Sequence, residues 1–191
     1  EKTNEYYAIA KIAGIKICES LRIQHGFDAI CLMPTNLYGP KDNYHPQDSH
    51  VMASLIRKFC EAKENSSNVV TCWGTGSPLR EFLHVDDLGS ATVFALENWD
   101  PSCQTSPKLD SGETLSYLNV GTGRDITIKE LAIKISKAVG FNGEIIWDKS
   151  KPDGTPKKQL DISRLKKMGW TSKINLEDGI NNTVKIFRDN Y

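Results

Sequence analysis

The first part of the chain changes from apolar residues at helical spacing to a short continuous apolar run. Residues 5–25 predict a helix with a wide apolar face, and Gly26 stands where a helix commonly ends. Residues 28–33 predict a buried parallel strand that Pro34 stops. Helix, glycine turn and buried strand make half of a βαβ unit. A helix this apolar is expected to be covered on more than one side.

Alternating helices and strands are predicted over the rest of the chain. Strands are expected over residues 69–73, 80–85, 118–120 and 144–147, and helices over residues 51–63, 86–97, 127–140, 163–168 and 176–189. The first of these helices has Asp48 or Ser49 as a candidate cap, which places His50 in its first turn. Asp86-Asp87 is predicted to cap the second helix, and Thr127 with Glu130 forms a capping box for the third.

Composition places the chain among ordinary globular proteins. With 39% hydrophobic and 25% charged residues in 191 positions, it is long enough for one large domain or two small ones. The formal net charge is zero and no long block of like charges occurs, so neither nucleic acid nor a membrane is an expected partner. Residues 100–116, rich in Pro, Ser, Thr and Asp, are expected to form a surface excursion without chemistry.

The five cysteines indicate a reducing compartment. They are scattered, odd in number and never in a Cys-x-x-Cys pair. This pattern fits reduced thiols in a cytoplasmic protein better than a disulfide framework or a zinc site, and we predict no metal.

Tyr7 and Lys11 lie four residues apart, so on a helix they share one face about one turn apart. An ammonium beside a phenol favours the phenolate, whose free pKa is about 10, and a phenol tuned in this way can exchange a proton with a carbonyl or alcohol. The pair resembles the Tyr-x-x-x-Lys motif of the short-chain dehydrogenase/reductase superfamily, in which the lysine also holds the nicotinamide ribose. The alternative is an amphipathic helix with an interfacial tyrosine.

Three other candidate positions follow from the predicted elements. Residues 34–40 form a loop at the carboxyl end of a predicted parallel strand, the edge where such sheets bind ligands, although turn residues alone explain a loop. His50 is a further candidate because it lies beside this loop, and the alternative interpretation is that it is a polar surface residue. Arg80 is a plausible anion ligand, and the alternative pairs it with Glu81 or Asp86. The turn at residues 121–123 lacks the third glycine of a dinucleotide fingerprint.

Taken together, these landmarks resemble the GDP-L-fucose synthase family, which belongs to the extended short-chain dehydrogenases. The resemblance covers essentially the whole chain and rests on the following segments: residues 4–11, Pro34-Thr-Asn-Leu-Tyr-Gly-Pro40, Ser49-His-Val51, Trp73-Gly-Thr-Gly76, residues 80–87 and Lys151-Pro-Asp-Gly-Thr-Pro156. The Arg-Glu-Phe-x-His-Val-x-Asp run occurs widely among sugar-nucleotide enzymes. The other segments point to the narrower family.

The resemblance implies an α/β fold that comprises the C-terminal portion of a Rossmann-like parallel sheet plus a small α/β substrate-binding domain. Residues 1–48 would end the NADP-binding domain, with segments near 81–98 and 117–122 returning to it. Residues 49–191 would form mainly the substrate-binding domain. Members of the family are homodimers built partly by the motif helix, so a homodimer through residues 9–21 is expected.

The resemblance also implies an activity, namely NADPH-dependent epimerisation at C3 and C5 and reduction at C4 of GDP-4-keto-6-deoxy-D-mannose. Tyr7 would donate the proton as hydride reaches C4, Lys11 would bind the cofactor ribose, and His50 would be the acid in the epimerisations. The implied cofactor-binding residues are Lys11, Pro34, Thr35, Asn36, Leu37 and His50. The implied GDP-sugar ligands are Lys58, Trp73, Arg80 and Asp153, of which Lys58 is the weakest match because some relatives have arginine there.

The chain begins inside the motif helix, so we expect a fragment. By the resemblance, the glycine-rich fingerprint, the catalytic serine and the epimerisation cysteine would precede residue 1, and the chain alone would not turn over. Two alternatives stay open at this point. One is another extended enzyme, such as a sugar-nucleotide 4-epimerase or dehydratase, and the other is a non-catalytic sugar-nucleotide-binding module.

Overall fold

The helix that carries Tyr7 is followed by a strand that pairs with a distant segment. In the computed structural model, which describes residues 4–191, α1 (Glu5–His25) ends at Gly26 in the left-handed conformation, as expected. The strand after it is β1 (Cys31–Pro34), shorter than predicted, and it pairs in parallel with β5 (Tyr117–Val120). Pro34 was expected to follow the strand and end it, but it is itself the last residue of β1.

The remaining elements alternate between helices and short strands. In chain order they are β2 (Asn36–Tyr38), α2 (Val51–Glu64), β3 (Val69–Trp73), β4 (Leu79–His84), α3 (Val85–Asn98), β6 (Asp125–Thr127), α4 (Ile128–Val139), β7 (Glu144–Asp148), β8 (Lys157–Lys158), α5 (Ser163–Met168) and α6 (Leu176–Asn190). The capping box of Thr127 and Glu130 opens α4, which confirms that prediction. Strands β2, β6 and β8 were not predicted.

Strand β4 is the centre of the largest sheet. Its second half pairs in parallel with β2, in the register Phe82 to Asn36, while its first half lies between antiparallel β6 and parallel β8. Strands β3 and β7 form a separate parallel pair. The loop predicted at residues 34–40 therefore contains a strand, because β4 offers its edge to residues 36–38.

Two groups of buried side chains hold these layers together. One lies between α2, α4 and α6 and the β3–β7 pair, with Ile56, Phe59 and Ile135 fully buried. The other joins β1, β4, β5 and α3 around Leu83 and Leu118. Leu115, within the predicted surface excursion, is 2% exposed and belongs to the second group, so that segment is anchored at its end.

Two helix caps differ from the prediction. Helix α2 begins at Val51 with His50 as the N-cap residue in an extended conformation, so His50 is not in the first turn. Neither Asp48 nor Ser49 caps it, since both precede the N-cap residue and no side chain forms a capping hydrogen bond at this end of the helix. Helix α3 follows β4 without a loop, so His84 Nδ1 accepts the Asp86 N–H and takes the capping role expected of Asp86-Asp87.

Helix α1 leaves its apolar residues exposed. None of its residues, all of which belong to the described part of the chain, is buried, and Ile9, Ile12 and Ile17 are each more than half exposed. Residues 4–191 therefore do not cover the apolar face of α1 as the sequence analysis expected. No helix formed by these residues is both long and apolar enough to cross a membrane.

Candidate active site

A cavity of about 810 Å³ brings together the residues singled out around the first strand. Tyr7 and His50 line it, as does the run Pro34, Thr35, Asn36 and Leu37. Residues from three separate segments thus meet at one site. Of the residues predicted to be catalytic or to bind the cofactor, Lys11 alone is absent from the lining.

The ends of parallel strands position this lining. Pro34 ends β1 and Asn36 opens β2, and the N–H of Thr35 donates to the carbonyl of Val120 at the end of β5 over 3.0 Å. His50 enters from the start of α2. The cavity therefore lies at the carboxyl ends of β1 and β5, the edge where open α/β sheets bind ligands.

Tyr7 and Lys11 contact each other as their spacing predicts. Lys11 Nζ lies 5.4 Å from the centroid of the Tyr7 ring, within the range of a cation–π contact. Tyr7 is 68% exposed, so its ring is reached both from the cavity and from solvent. Lys11 thus contacts the Tyr7 ring but does not line the cavity.

Several lining residues were not foreseen. Asp42, Val51, Met52 and Phe82 belong to segments already near the site, but a second group comes from far along the chain: Lys158, Gln159 and Leu160. This group reaches the cavity because β8 pairs with β4. The two-residue strand β8 has no periodicity for sequence analysis to detect, so no signal marks these three residues.

A second cluster surrounds the exposed indole of Trp73 at the end of β3. The ammonium groups of Lys58 and Lys151 lie 5.4 and 5.5 Å from its ring centroid. Lys58 Nζ also donates to the carbonyl of Thr71 over 3.1 Å, which holds the lysine in place. Trp73 itself is 65% exposed. An exposed aromatic ring with two cations near it can stack on a planar base, and the cations can hold an anion.

Asp153 lies beside this cluster, where its carboxylate is bound by a glycine turn. Thr75 donates to it twice, from its N–H over 2.9 Å and from its hydroxyl over 2.7 Å. These two bonds, the hydroxyl first, lower the pKa of Asp153 from its usual value. A Cβ at Gly74 would overlap Asp153 Oδ1, so the close approach needs glycine there.

Arg80 lies between the cluster and the cavity. Its Nη2 is 2.9 Å from the position of a Cβ on Gly154, next to Asp153. In the register of β4 and β8, Arg80 is paired with Lys158, which lines the cavity. The alternative pairings of Arg80 are not formed, because Glu81 accepts from backbone N–H groups and Asp86 lies beside His84. All four predicted GDP-sugar ligands therefore lie in one region next to the cavity.

No cysteine is among the residues that line the cavity within the described chain. Burial raises the pKa of the Cys31 thiol to about 11, with its neighbour Cys18 adding to the effect, and burial also raises the pKa of Cys60 and Cys72. Hydrogen bonding to Thr105 lowers the pKa of Cys103, which lies in the 100–116 segment. These thiols do not contribute a base to the site.

The parallel pairing of β1 with β5 and of β2 with β4, with a cavity at the carboxyl ends of β1 and β5, is the architecture of a Rossmann-like α/β fold. The model of the NAD dependent epimerase/dehydratase family matches residues 1–104, and the chain belongs to that family.

Two sequence relatives that are at least half identical to the chain are named as GDP-L-fucose synthases. The chain is 54% identical over 190 residues to "Probable GDP-L-fucose synthase 1" of Oryza sativa subsp. japonica, covering 100% of this chain and 54% of that protein. It is 50% identical over 194 residues to "GDP-L-fucose synthase" of Escherichia coli, covering 100% of this chain and 58% of that protein. The chain thus spans about half the length of these relatives.

A solved structure agrees with the fold over the whole chain. The GDP-L-fucose synthetase of Naegleria fowleri bound to NADP has a TM-score of 0.84 and 25% identity, over 100% of this chain and 58% of that one. The α/β class and Rossmann-like architecture expected from the sequence are confirmed.

Proposed function

We propose that the protein acts in the NADPH-dependent conversion of GDP-4-keto-6-deoxy-D-mannose to GDP-L-fucose. The observation that carries the proposal is that Tyr7 and His50 line one cavity. The reduction requires a proton donor and the epimerisations require an acid, and these two residues fit those two roles. The names of the relatives at 50–54% identity support the same substrate.

In the reduction, Tyr7 is the proton donor to the C4 oxygen of the sugar. NADPH, when bound, supplies the hydride that C4 accepts. The run of Pro34 to Leu37 is the part of the chain that would hold the nicotinamide end. The ammonium of Lys11, over the Tyr7 ring, stabilises negative charge on the Tyr7 oxygen as its proton leaves.

In the epimerisations, His50 is the acid that returns a proton to C3 and C5 on the opposite face. Both carbons flank the ketone, so removal of a proton gives an enolate whose charge is carried by the C4 oxygen. The extended N-cap position of His50 directs it toward the cavity and away from the helix. The base that removes these protons is not one of the cysteines in the described chain, since none lines the cavity.

The cluster around Trp73 is the proposed nucleotide site. Lys58, Arg80 and the neighbouring Lys151 supply positive charge for a diphosphate, and the Trp73 ring offers an apolar face. Asp153 holds the turn that carries Thr75 and keeps free acceptor capacity for a hydroxyl. The β4–β8 pairing of Arg80 with Lys158 joins this cluster to the cavity, so a bound diphosphate leads into the place where the sugar reacts.

The two alternative functions are less well supported. A 4-epimerase or dehydratase has no need of a second acid at His50. The relatives at 50–54% identity are named GDP-L-fucose synthases and not 4-epimerases or dehydratases. A non-catalytic binding module gives no reason for Tyr7, Lys11 and His50 to converge.

The domain division, the compartment and the assembly belong to the same proposal. We assign residues 1–48, with segments near 81–98 and 117–122, to the cofactor domain, residues 49–191 mainly to the substrate domain, and the protein to the cytoplasm. A homodimer through α1 is supported by the exposure of Ile9, Ile12 and Ile17. Light scattering of the protein and its Ile12→Glu variant tests this assembly, and a monomeric parent protein would contradict it.

The product tests the activity. The protein, expressed with any native sequence that precedes Glu1, is incubated with NADPH and the keto-sugar nucleotide in D₂O. We expect GDP-fucose with solvent deuterium at both C3 and C5, since each epimerisation exchanges the carbon-bound proton. A reduced product with no deuterium at either carbon contradicts the epimerase role, and no consumption of NADPH contradicts the proposal as a whole.

A further inference from the structure

The side chain of Glu81 joins the turn at residues 121–123 to Leu160, which lines the cavity. Glu81 lies in β4 with 0% of its surface exposed. Its Oε1 accepts from the N–H groups of Thr122 and Gly123 over 2.6 and 2.7 Å, and its Oε2 accepts from the N–H of Leu160 over 2.8 Å. Three backbone donors on one buried carboxylate make a strong and directional anchor.

The backbone of the same residue holds the opposite wall. The carbonyl of Glu81 accepts from Asn36 Nδ2 over 2.8 Å and from Thr35 Oγ1 over 3.2 Å. Thr35 and Asn36 line the cavity on the β1–β2 side, whereas Leu160 and its neighbours line it on the β8 side. One buried residue that does not line the cavity therefore contacts both walls.

The turn at residues 121–123 is shaped for this carboxylate. A Cβ at Gly121 would overlap Glu81 Oε1, so the glycine permits the contact. Gln159 Nε2 donates to the carbonyl of Gly123 over 2.7 Å and ties the β8 wall to the same turn. A glycine turn with two N–H groups aimed at one point resembles a phosphate cradle, but here an internal anion occupies it.

We propose that Glu81 is a positioning residue that fixes the separation of the two cavity walls, and thereby the alignment of nicotinamide and sugar. It acts through Thr35 and Asn36 on one side and Leu160 on the other, without touching either ligand. The expected effect on turnover rests on the proposed function, whereas the hydrogen bonds by which Glu81 anchors the two walls do not depend on it.

Glu81→Gln tests the proposal with little change in volume. The amide places an NH₂ group against N–H donors, so at least one anchor is lost. We expect kcat per GDP-binding site to fall about tenfold or more, because small misalignment of reacting groups is costly, while the Kd for GDP changes less than about twofold. GDP is measured by calorimetry, whose stoichiometry counts the folded sites. Glu97→Gln, which removes an exposed glutamate from α3, is the matched control and leaves both values unchanged.

Gly121→Ala is the second variant, since it keeps the carboxylate and displaces it from the turn. We expect the same fall in kcat per GDP site. If Glu81→Gln does not fold, Gly121→Ala tests the positioning role of Glu81 in its place. A kcat per GDP site equal to that of the parent protein in a folded variant overturns the positioning role.

Amide hydrogen exchange tests the anchoring without turnover. In Glu81→Gln we expect faster exchange at Thr122, Gly123 and Leu160, with α4 as protected as in the parent protein. Unchanged protection at all three amides overturns the inference. If the parent protein forms no product, the proposed function fails on its own, and the exchange result still decides whether Glu81 holds the two walls.

Discussion

Asp153 shows how one carboxylate orders an exposed loop at the proposed nucleotide site. Both of its oxygens accept from Thr75, although the residue is exposed and far from Thr75 in the chain. The loop is thus held by charge-assisted hydrogen bonds where it buries little apolar surface. Its geometry therefore depends on the ionisation of one group.

Thr75→Val is predicted to raise the pKa of Asp153 toward the ordinary value of about 3.9, because it removes the largest cause of the lowered pKa and leaves the backbone bond. A carboxyl with a lowered folded pKa stabilises the fold above its unfolded pKa, and this contribution is lost as pH falls through the folded value. The variant should accordingly lose less stability than the parent protein on acidification below about pH 4. Carboxyl-carbon NMR titration measures the shift. Thr171→Val serves as control, and an Asp153 pKa that is the same in Thr75→Val and the parent protein contradicts this account of the loop.

Glu81 shows the residue-scale limit of sequence analysis. It is polar and fully buried in β4, and its carboxylate accepts from the N–H groups of Thr122, Gly123 and Leu160, contacts that no local pattern predicts. Tyr7 and Lys11 differ because their contact follows from helical spacing alone. Residues whose partners lie four positions away are predictable, whereas residues whose partners lie in another element are not.

At the scale of elements, helix α6 packs so closely on β2 that it requires a glycine. A Cβ at Gly179 would overlap the hydroxyl oxygen of Tyr38, which is 3% exposed and has no room to move away. Glycine is required at position 179 because α6 and β2 approach each other closely, and not because of its backbone conformation. Gly89 in α3 has no atom within 4 Å of an added Cβ and offers the contrast.

These two glycines are predicted to respond oppositely to alanine. Alanine improves helix propensity by up to about 1 kcal/mol, whereas overpacking a well-filled site costs about 1–3 kcal/mol. Gly179→Ala should therefore lower the free energy of unfolding by up to about 2 kcal/mol, and Gly89→Ala should raise it by up to about 1 kcal/mol. Urea unfolding of both variants measures the difference. A gain of stability in Gly179→Ala would show that α6 is not fixed against Tyr38.

Elements with their own periodicity or caps were predictable, and elements defined by a partner were not. The amphipathic spacing of α4 and its capping box marked it in the sequence, and β3 occupies the predicted residues 69–73. Strands β2, β6 and β8, of two or three residues, exist because β4 offers two edges. Their absence from the prediction also explains why Lys158, Gln159 and Leu160 were missed at the cavity.

At the scale of the whole molecule, two cores are joined by β4 and the residues that border it. One core belongs to the β1–β5 side and the other to the α2–α4–α6 side. Leu83 lies in the former and Phe82 in the latter. The cavity lies where they meet, with Phe82 in its lining. An enzyme that aligns a cofactor with a sugar nucleotide needs such a junction, because each ligand is held by a different part of the chain.

The central claim is that Tyr7 and His50 serve different steps at one site, and turnover of two variants tests it most directly. The protein with any native sequence preceding Glu1 is compared with its Tyr7→Phe and His50→Gln forms, using NADPH and GDP-4-keto-6-deoxy-D-mannose. We expect Tyr7→Phe to reduce NADPH consumption about a hundredfold or more while deuterium from D₂O still enters C3 and C5. We expect His50→Gln to block epimerisation. If Tyr7→Phe consumes NADPH at the parent rate, or His50→Gln still yields GDP-fucose at that rate, the account is contradicted.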